Sequence, residues 1–141
     1  MWYTNFADRL EAWTQLRTRI TTLDAEPALD LVNKWWYNAP WKPYYLHWDD
    51  KENWPDPWQL LSDNVFCELA RGLGILYTIS MIDHPDLASA KLVLTEDERN
   101  LVLVNKTKYI LNYNQEVIVN TRLTENIKKS FTLEEVKQKY N

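Results

Sequence analysis

The sequence predicts an α+β fold in which N-terminal helices and a central cysteine-bearing helix pack on a small antiparallel sheet, and three observations predict it. Apolar residues recur at a helical period through the first 36 positions and again from Val65 to Met81. After Pro85 the period drops to two, the spacing of half-buried strands. Between the two helical regions, Trp35 to Trp58 holds six of the eight tryptophans and four prolines, so no continuous helix runs through it.

The first helix follows from Phe6, Leu10, Trp13, Leu16 or Arg17, and Ile20 along one stripe, with Thr4 or Asn5 as its cap and Asp8 in its first turn. A second runs from about Pro27 to Trp36, because proline suits a first helical position after Asp24 and Leu29, Val32 and Trp36 share a face. Pro40, Pro43, Pro55 and Pro57 then hold residues 39–58 as an extended aromatic loop. Asp56 caps a short turn of helix that begins at Pro57, and Ser62, Asp63 and Asn64 offer a fresh cap for the main helix. In that helix Val65, Leu69, Leu73 and Leu76 form one apolar row, and Phe66, Ala70, Leu73, Tyr77 and Met81 form its neighbour. Cys67, Arg71, Gly74 and Thr78 lie on another side, where mostly small groups let a sheet or loop approach closely.

Residues 91–94, 100–104, 108–112 and 116–119 read as strands, the middle two joined as a hairpin through Asn105, Lys106 and Thr107. On that three-residue turn Leu101, Leu103, Tyr109 and Leu111 share one face, while Val102, Val104 and Ile110 share the other. Both faces are apolar, which places the hairpin inside the sheet. Thr132 and Glu135 form a capping box for a C-terminal helix within 123–141, with Leu133, Val136 and Tyr140 inward. The length of 141 residues predicts one domain.

Composition narrows the function classes. A net charge of −4, with both signs spread along the chain, lacks the basic footprint that a phosphate backbone requires and argues against nucleic acid. The longest apolar run, Leu73 to Ile82, is far short of a membrane span. One cysteine makes no internal disulfide and no secretory signal opens the chain, so the expected location is a cytoplasm or a particle assembled there. Two glycines leave no phosphate-cradling loop, and no cofactor is expected. Asp49, Asp50, Glu52 and Asp56 lack the ligand spacing of a calcium loop and read as a solvated turn. Two histidines and a cysteine, far apart, make no zinc site. The aromatic loop has two readings. Most of its rings are expected to seal the core, and the candidates for contact with protein or sugar are Trp36, Trp41, Tyr44, Tyr45, Trp48, Trp54 and Trp58.

Three features together resemble the transglutaminase-like superfamily: the lead-in from Asp50 through Trp54 to Leu61, the run Cys67, Glu68, Leu69, Ala70 on a helix, and a later strand ending Tyr109, Ile110, Leu111, Asn112. The chain is most similar to the bacterial transglutaminase-like cysteine peptidases, and the likeness spans about Tyr45 to Val119. The resemblance implies a nucleophile at Cys67, with Asn100 in the histidine position and Asn112 in the aspartate position. Val65 and Phe66 stand where the family has glycine and aspartate. The three-residue turn would also set Asn100 directly opposite Asn112.

A cysteine attacks as its thiolate, and an ordinary thiol pKa of about 8.5 leaves little thiolate at neutral pH without a base or cation beside it. Asparagine supplies neither. His84 lies on the order of 25 Å from Cys67 along a continuous helix. His47 is therefore the one alternative base. The expectation is a non-catalytic transglutaminase-like protein that binds other proteins in a larger assembly. Its tryptophan-rich, cysteine-poor make-up resembles tail and baseplate proteins of contractile-tailed bacteriophages. The alternatives are an active thiol peptidase or amidase using Cys67 and His47, and a glycan-binding module using the tryptophans.

Overall fold

The computed structural model describes residues 2–43, 45–87, 89–119 and 126–140. Helix α1, Phe6–Thr21, starts where Asn5 accepts the Asp8 N–H at 2.9 Å. Its inward face is Arg9, Trp13, Leu16 and Ile20, and Phe6 is exposed. Arg9 is buried with its Nε donating to Leu61 O and its Nη1 to Tyr3 O. Helix α2, Ala25–Tyr37, begins two residues before Pro27, which occupies the third helical position, where the nitrogen has no intrahelical partner. A short 3₁₀ helix, Trp48–Asn53, interrupts the aromatic loop. Helix α3, Pro57–Asp63, is capped by Asp56, which accepts the Gln59 N–H at 2.8 Å.

The main helix, α4, is Glu68–Ser80 and starts three residues later than the sequence suggests. Asn64 turns left-handed at φ 55° and ends α3, after which Val65 and Phe66 run extended. Phe66 pairs with Trp41 in a parallel bridge, taking the Lys42 N–H at 2.8 Å and giving its own to Pro40 O at 3.2 Å. Those bonds hold the backbone out of the helix until Cys67.

The small side of α4 receives helix α2 at Gly74 where a sheet or loop is expected, and the sheet closes on another side at Gly72. A Cβ on Gly74 would fall 2.6 Å from the Trp36 ring, and one on Gly72 would fall 2.7 Å from Leu92. Glycine at these two positions lets α2 and the sheet close on α4 from different sides. Tyr77 is fully buried and donates to Pro55 O at 2.5 Å. Burial, then the nearby charge of Asp56 and Tyr140, pushes the Tyr77 phenol well above its ordinary range. The folded state thus keeps a proton that the unfolded chain releases above about pH 10, so this stability is whole below pH 10 and falls as pH rises. Thermal melts from pH 9 to 11.5 should show a falling Tm, with a shallower fall in Tyr77→Phe.

The sheet has five strands in the order β4-β3-β2-β1-β5, all antiparallel. They are β1 Ala90–Thr95, β2 Asn100–Val104, β3 Tyr109–Leu111, β4 Ile118–Val119 and β5 Ile127–Thr132. The hairpin lies inside the sheet, but its register differs from the sequence reading. Val104 pairs with Tyr109 and Val102 with Leu111, around a four-residue loop whose Asn105, Lys106 and Thr107 all take positive φ. A one-residue slip exchanges the faces of one strand. Tyr109 and Leu111 therefore join Val102 and Val104 on the face toward α4, while Ile110 joins Leu101, Leu103 and Val93 on the other.

The C-terminal region is a strand first and a helix second. Residues 127–132 form β5 against β1, and α5 is only Leu133–Lys137. The rest of the expected helix is a turn through Tyr140, and residues 123–125 and 141 lie outside the described residues. The capping box forms, with Thr132 Oγ1 accepting from Glu135 N and Glu135 Oε1 accepting from Thr132 N, each at 3.3 Å. Among the described residues no helix is long and apolar enough to cross a membrane.

Candidate functional site

The bridge between Trp41 and Phe66 brings the aromatic loop alongside the start of α4, where Cys67 is the N-cap and its Sγ accepts the Ala70 N–H at 3.4 Å. The other wall is the β1–β2 end of the sheet. A cleft of about 600 Å³ opens there. Trp41, His47, Trp48, Cys67 and Asn100 all line it, with Glu68 and Arg99 beside them. Cys67 is 5% exposed.

Asn100 sits at the head of β2, but its side chain is already committed. Its Oδ1 accepts the Trp48 indole N–H at 2.7 Å, and its backbone N–H and Nδ2 donate to Glu68 Oε1 at 2.6 and 3.3 Å. Arg99 Nε holds the other oxygen of Glu68 at 3.1 Å. Glu68 is thus a clamp joining the α4 start to the β2 start, a role its place in the run after Cys67 does not reveal. Its position at the first turn of a helix was the available signal, since an acid there also meets free backbone N–H groups.

Asn112 does not line the cleft. One further step in the hairpin register would set it across from Leu101, not Asn100, and the ladder stops before it because Asn112 turns left-handed at φ 68°. The two asparagines still meet, through side chain to backbone: Asn112 Nδ2 donates to Asn100 O at 2.8 Å and to Glu68 O at 2.9 Å. Its Oδ1 accepts Arg71 Nε at 2.7 Å, and its N–H donates to Asn33 Oδ1 at 2.9 Å. It is fully buried. Arg71, Arg99 and Asn33 complete this network, and nothing in local sequence spacing points to them.

Among the described residues neither histidine is paired with an acid. His84 is buried, its Nδ1 accepting the Asp86 N–H, which leaves Nε2 as the donor to Leu23 O at 2.6 Å. His47 is exposed on the cleft rim, and its backbone oxygen accepts the Trp54 indole N–H at 2.8 Å and the Asp50 N–H at 3.1 Å.

The aromatic candidates divide. Trp36, Trp48 and Trp54 are buried, so as outward contact rails they are corrected. Trp36 packs edge-on to Trp35 and Phe66 and donates to Thr78 Oγ1, while Trp54 packs edge-on to Trp48 and Phe131. Each ring lies where a large apolar area leaves water, worth about 1.5–3 kcal/mol. Tyr45 is half-buried with its hydroxyl on Asp63 at 2.5 Å. Trp41 and Trp58 are exposed, Trp58 lying edge-on to Tyr140. Tyr44 lies outside the described residues.

In the acidic turn Asp49 pairs with Lys129 at 2.8 Å, Asp50 takes the Asn53 amide and Asp56 caps α3. Among the described residues no three His, Cys, Asp or Glu side chains gather closely enough to hold a metal ion. No protein-family model, curated protein or solved structure matches the chain.

Proposed function

We propose that this chain is a non-catalytic, transglutaminase-like domain that holds other proteins in an assembly, such as a bacteriophage tail or baseplate. One observation carries the reading. The side chains standing where a cysteine peptidase needs a base and an acid are amides, and both are spent on structural hydrogen bonds. An amide neither takes a thiol proton nor stabilises an imidazolium, so neither Asn100 nor Asn112 can supply the proton transfers of thiol catalysis. The cleft beside it, with exposed Trp41 on its wall, is suited to contact rather than turnover.

A second reading has its own observation, since His47 lines the same cleft as Cys67. In it Cys67 is the nucleophile and His47 the base of a peptidase or amidase. Iodoacetamide labelling of the native protein at pH 7 separates the two. The non-catalytic reading expects Cys67 to label at least about tenfold more slowly than glutathione, to the same extent in His47→Ala, and readily only in denaturant. Rapid native labelling that His47→Ala abolishes would overturn it.

A further inference from the structure

We infer that Arg71 receives one carboxylate from an acidic segment of a partner protein, with Trp41 as the exposed apolar wall beside it. This deepens the protein-binding reading above and rests on it.

Arg71 is prepared for a ligand in orientation and in charge. Its guanidinium lies 3.7 Å from the Tyr37 ring centroid and 5.6 Å from that of Trp41, so the plane is stacked and held. Nε is fixed on Asn112 Oδ1 at 2.7 Å. That leaves the two Nη groups, the fork that grips a carboxylate bidentately. Among the described residues Arg71 enters no ion pair, and its terminal nitrogens are not sealed away as buried orphans. Among the described residues they have no partner, and they are not closed off from solvent. Burial of the rest of the side chain disfavours its charge, so a counter-ion is gained at a partly dehydrated cation.

The local charge count selects the ligand. Glu68, three residues earlier on α4, is committed to Arg99 and Asn100. Arg71 and Arg99 against Glu68 leave one positive charge unmatched, which suits a single carboxylate better than a dianionic phosphate. The overall charge of −4 disfavours a polyanion as well. Both arginines touch Asn112, and Arg99 lies 4.5 Å from the ring centroid of Tyr113. The surface therefore runs Trp41, Arg71, Arg99, Tyr113, with an exposed ring at each end, Trp41 at 58% and Tyr113 at 43%. Tryptophan, tyrosine and arginine are the side chains that anchor protein interfaces. An acidic residue flanked by apolar ones fits this order.

Panning a displayed heptapeptide library against the full chain tests the inference. Enriched peptides should share Asp or Glu at one position, and changing that acid to its amide should weaken binding about tenfold or more on the unaltered protein. Arg71→Gln, checked for folding by circular dichroism, should erase the preference for acid over amide. Trp41→Ala, at an exposed ring, should weaken both peptides and leave the melting temperature unchanged. No enrichment, or enriched peptides without a common acid, would overturn the inference, as would an acid preference that persists in folded Arg71→Gln. Acid-free binders would leave the protein-binding reading standing, whereas a His47-dependent thiol overturns that reading by a separate measurement.

Discussion

Thr78→Val should destabilise the protein by about 3 kcal/mol, although the two side chains have almost the same shape. Thr78 Oγ1, on α4, accepts the indole N–H of Trp13 from α1 at 2.8 Å and that of Trp36 from α2 at 3.0 Å, and it donates to Gly74 O at 2.8 Å. Both rings are essentially fully buried, so no solvent stands ready to replace the hydroxyl. Valine leaves two buried donors orphaned, each costing about 1–3 kcal/mol, against a small gain from removing one polar group. Thr78→Ser keeps the acceptor, loses one methyl group and should cost only about 1 kcal/mol. Urea unfolding followed by tryptophan fluorescence measures both. A valine variant within about 0.5 kcal/mol of the parent would mean that the indoles find another acceptor and that the three helices do not depend on this hydroxyl.

Asn112→Ala should cost about 4 kcal/mol, a larger loss than deletion of most polar side chains. The Asn112 amide ties α4 to β2, donating to Glu68 O on α4 and Asn100 O on β2 while accepting from Arg71 of α4. Alanine strands those groups in a buried setting and must also hold φ 68°, which costs an L-residue about 1–2 kcal/mol where asparagine is tolerated. Asn112→Asp tests the same geometry differently. A carboxylate still meets Arg71 but turns acceptor oxygens toward two backbone carbonyls. It should be destabilising too, because the network already present is built for an amide at this position. Chemical denaturation of both variants reads the cost. A loss below about 1 kcal/mol for either would show the network to be replaceable by water.

Much of the fold was legible because its signals are local. Asn5, Asp56 and the Thr132–Glu135 box cap their helices, and the alternating apolar residues of 90–104 mark two strands. Strand β5 was hidden for a physical reason. Ile127, Lys128, Lys129 and Ser130 are all exposed, and an edge strand protected by lysines carries no alternating apolar pattern. The late start of α4 was hidden as well, because Val65 and Phe66 continue the apolar row of the helix and only their pairing with the loop at 40–42 keeps them extended.

For the candidate site, sequence alone determined which residue types were available: one cysteine, two histidines, and the amides Asn100 and Asn112. Tertiary structure decided what each of them does. It set His84 against a backbone carbonyl, left His47 on the cleft rim, and turned Asn112 inward through a hairpin register one residue from the simplest one. It also sorted the tryptophans, burying Trp36 against the bare face of Gly74 and leaving Trp41 outside beside Arg71. The division has one cause. Caps and periodicity are read within a few residues along the chain, whereas burial, register and hydrogen-bond partners depend on which distant backbone arrives alongside, and at this site those partners come from segments far apart in sequence.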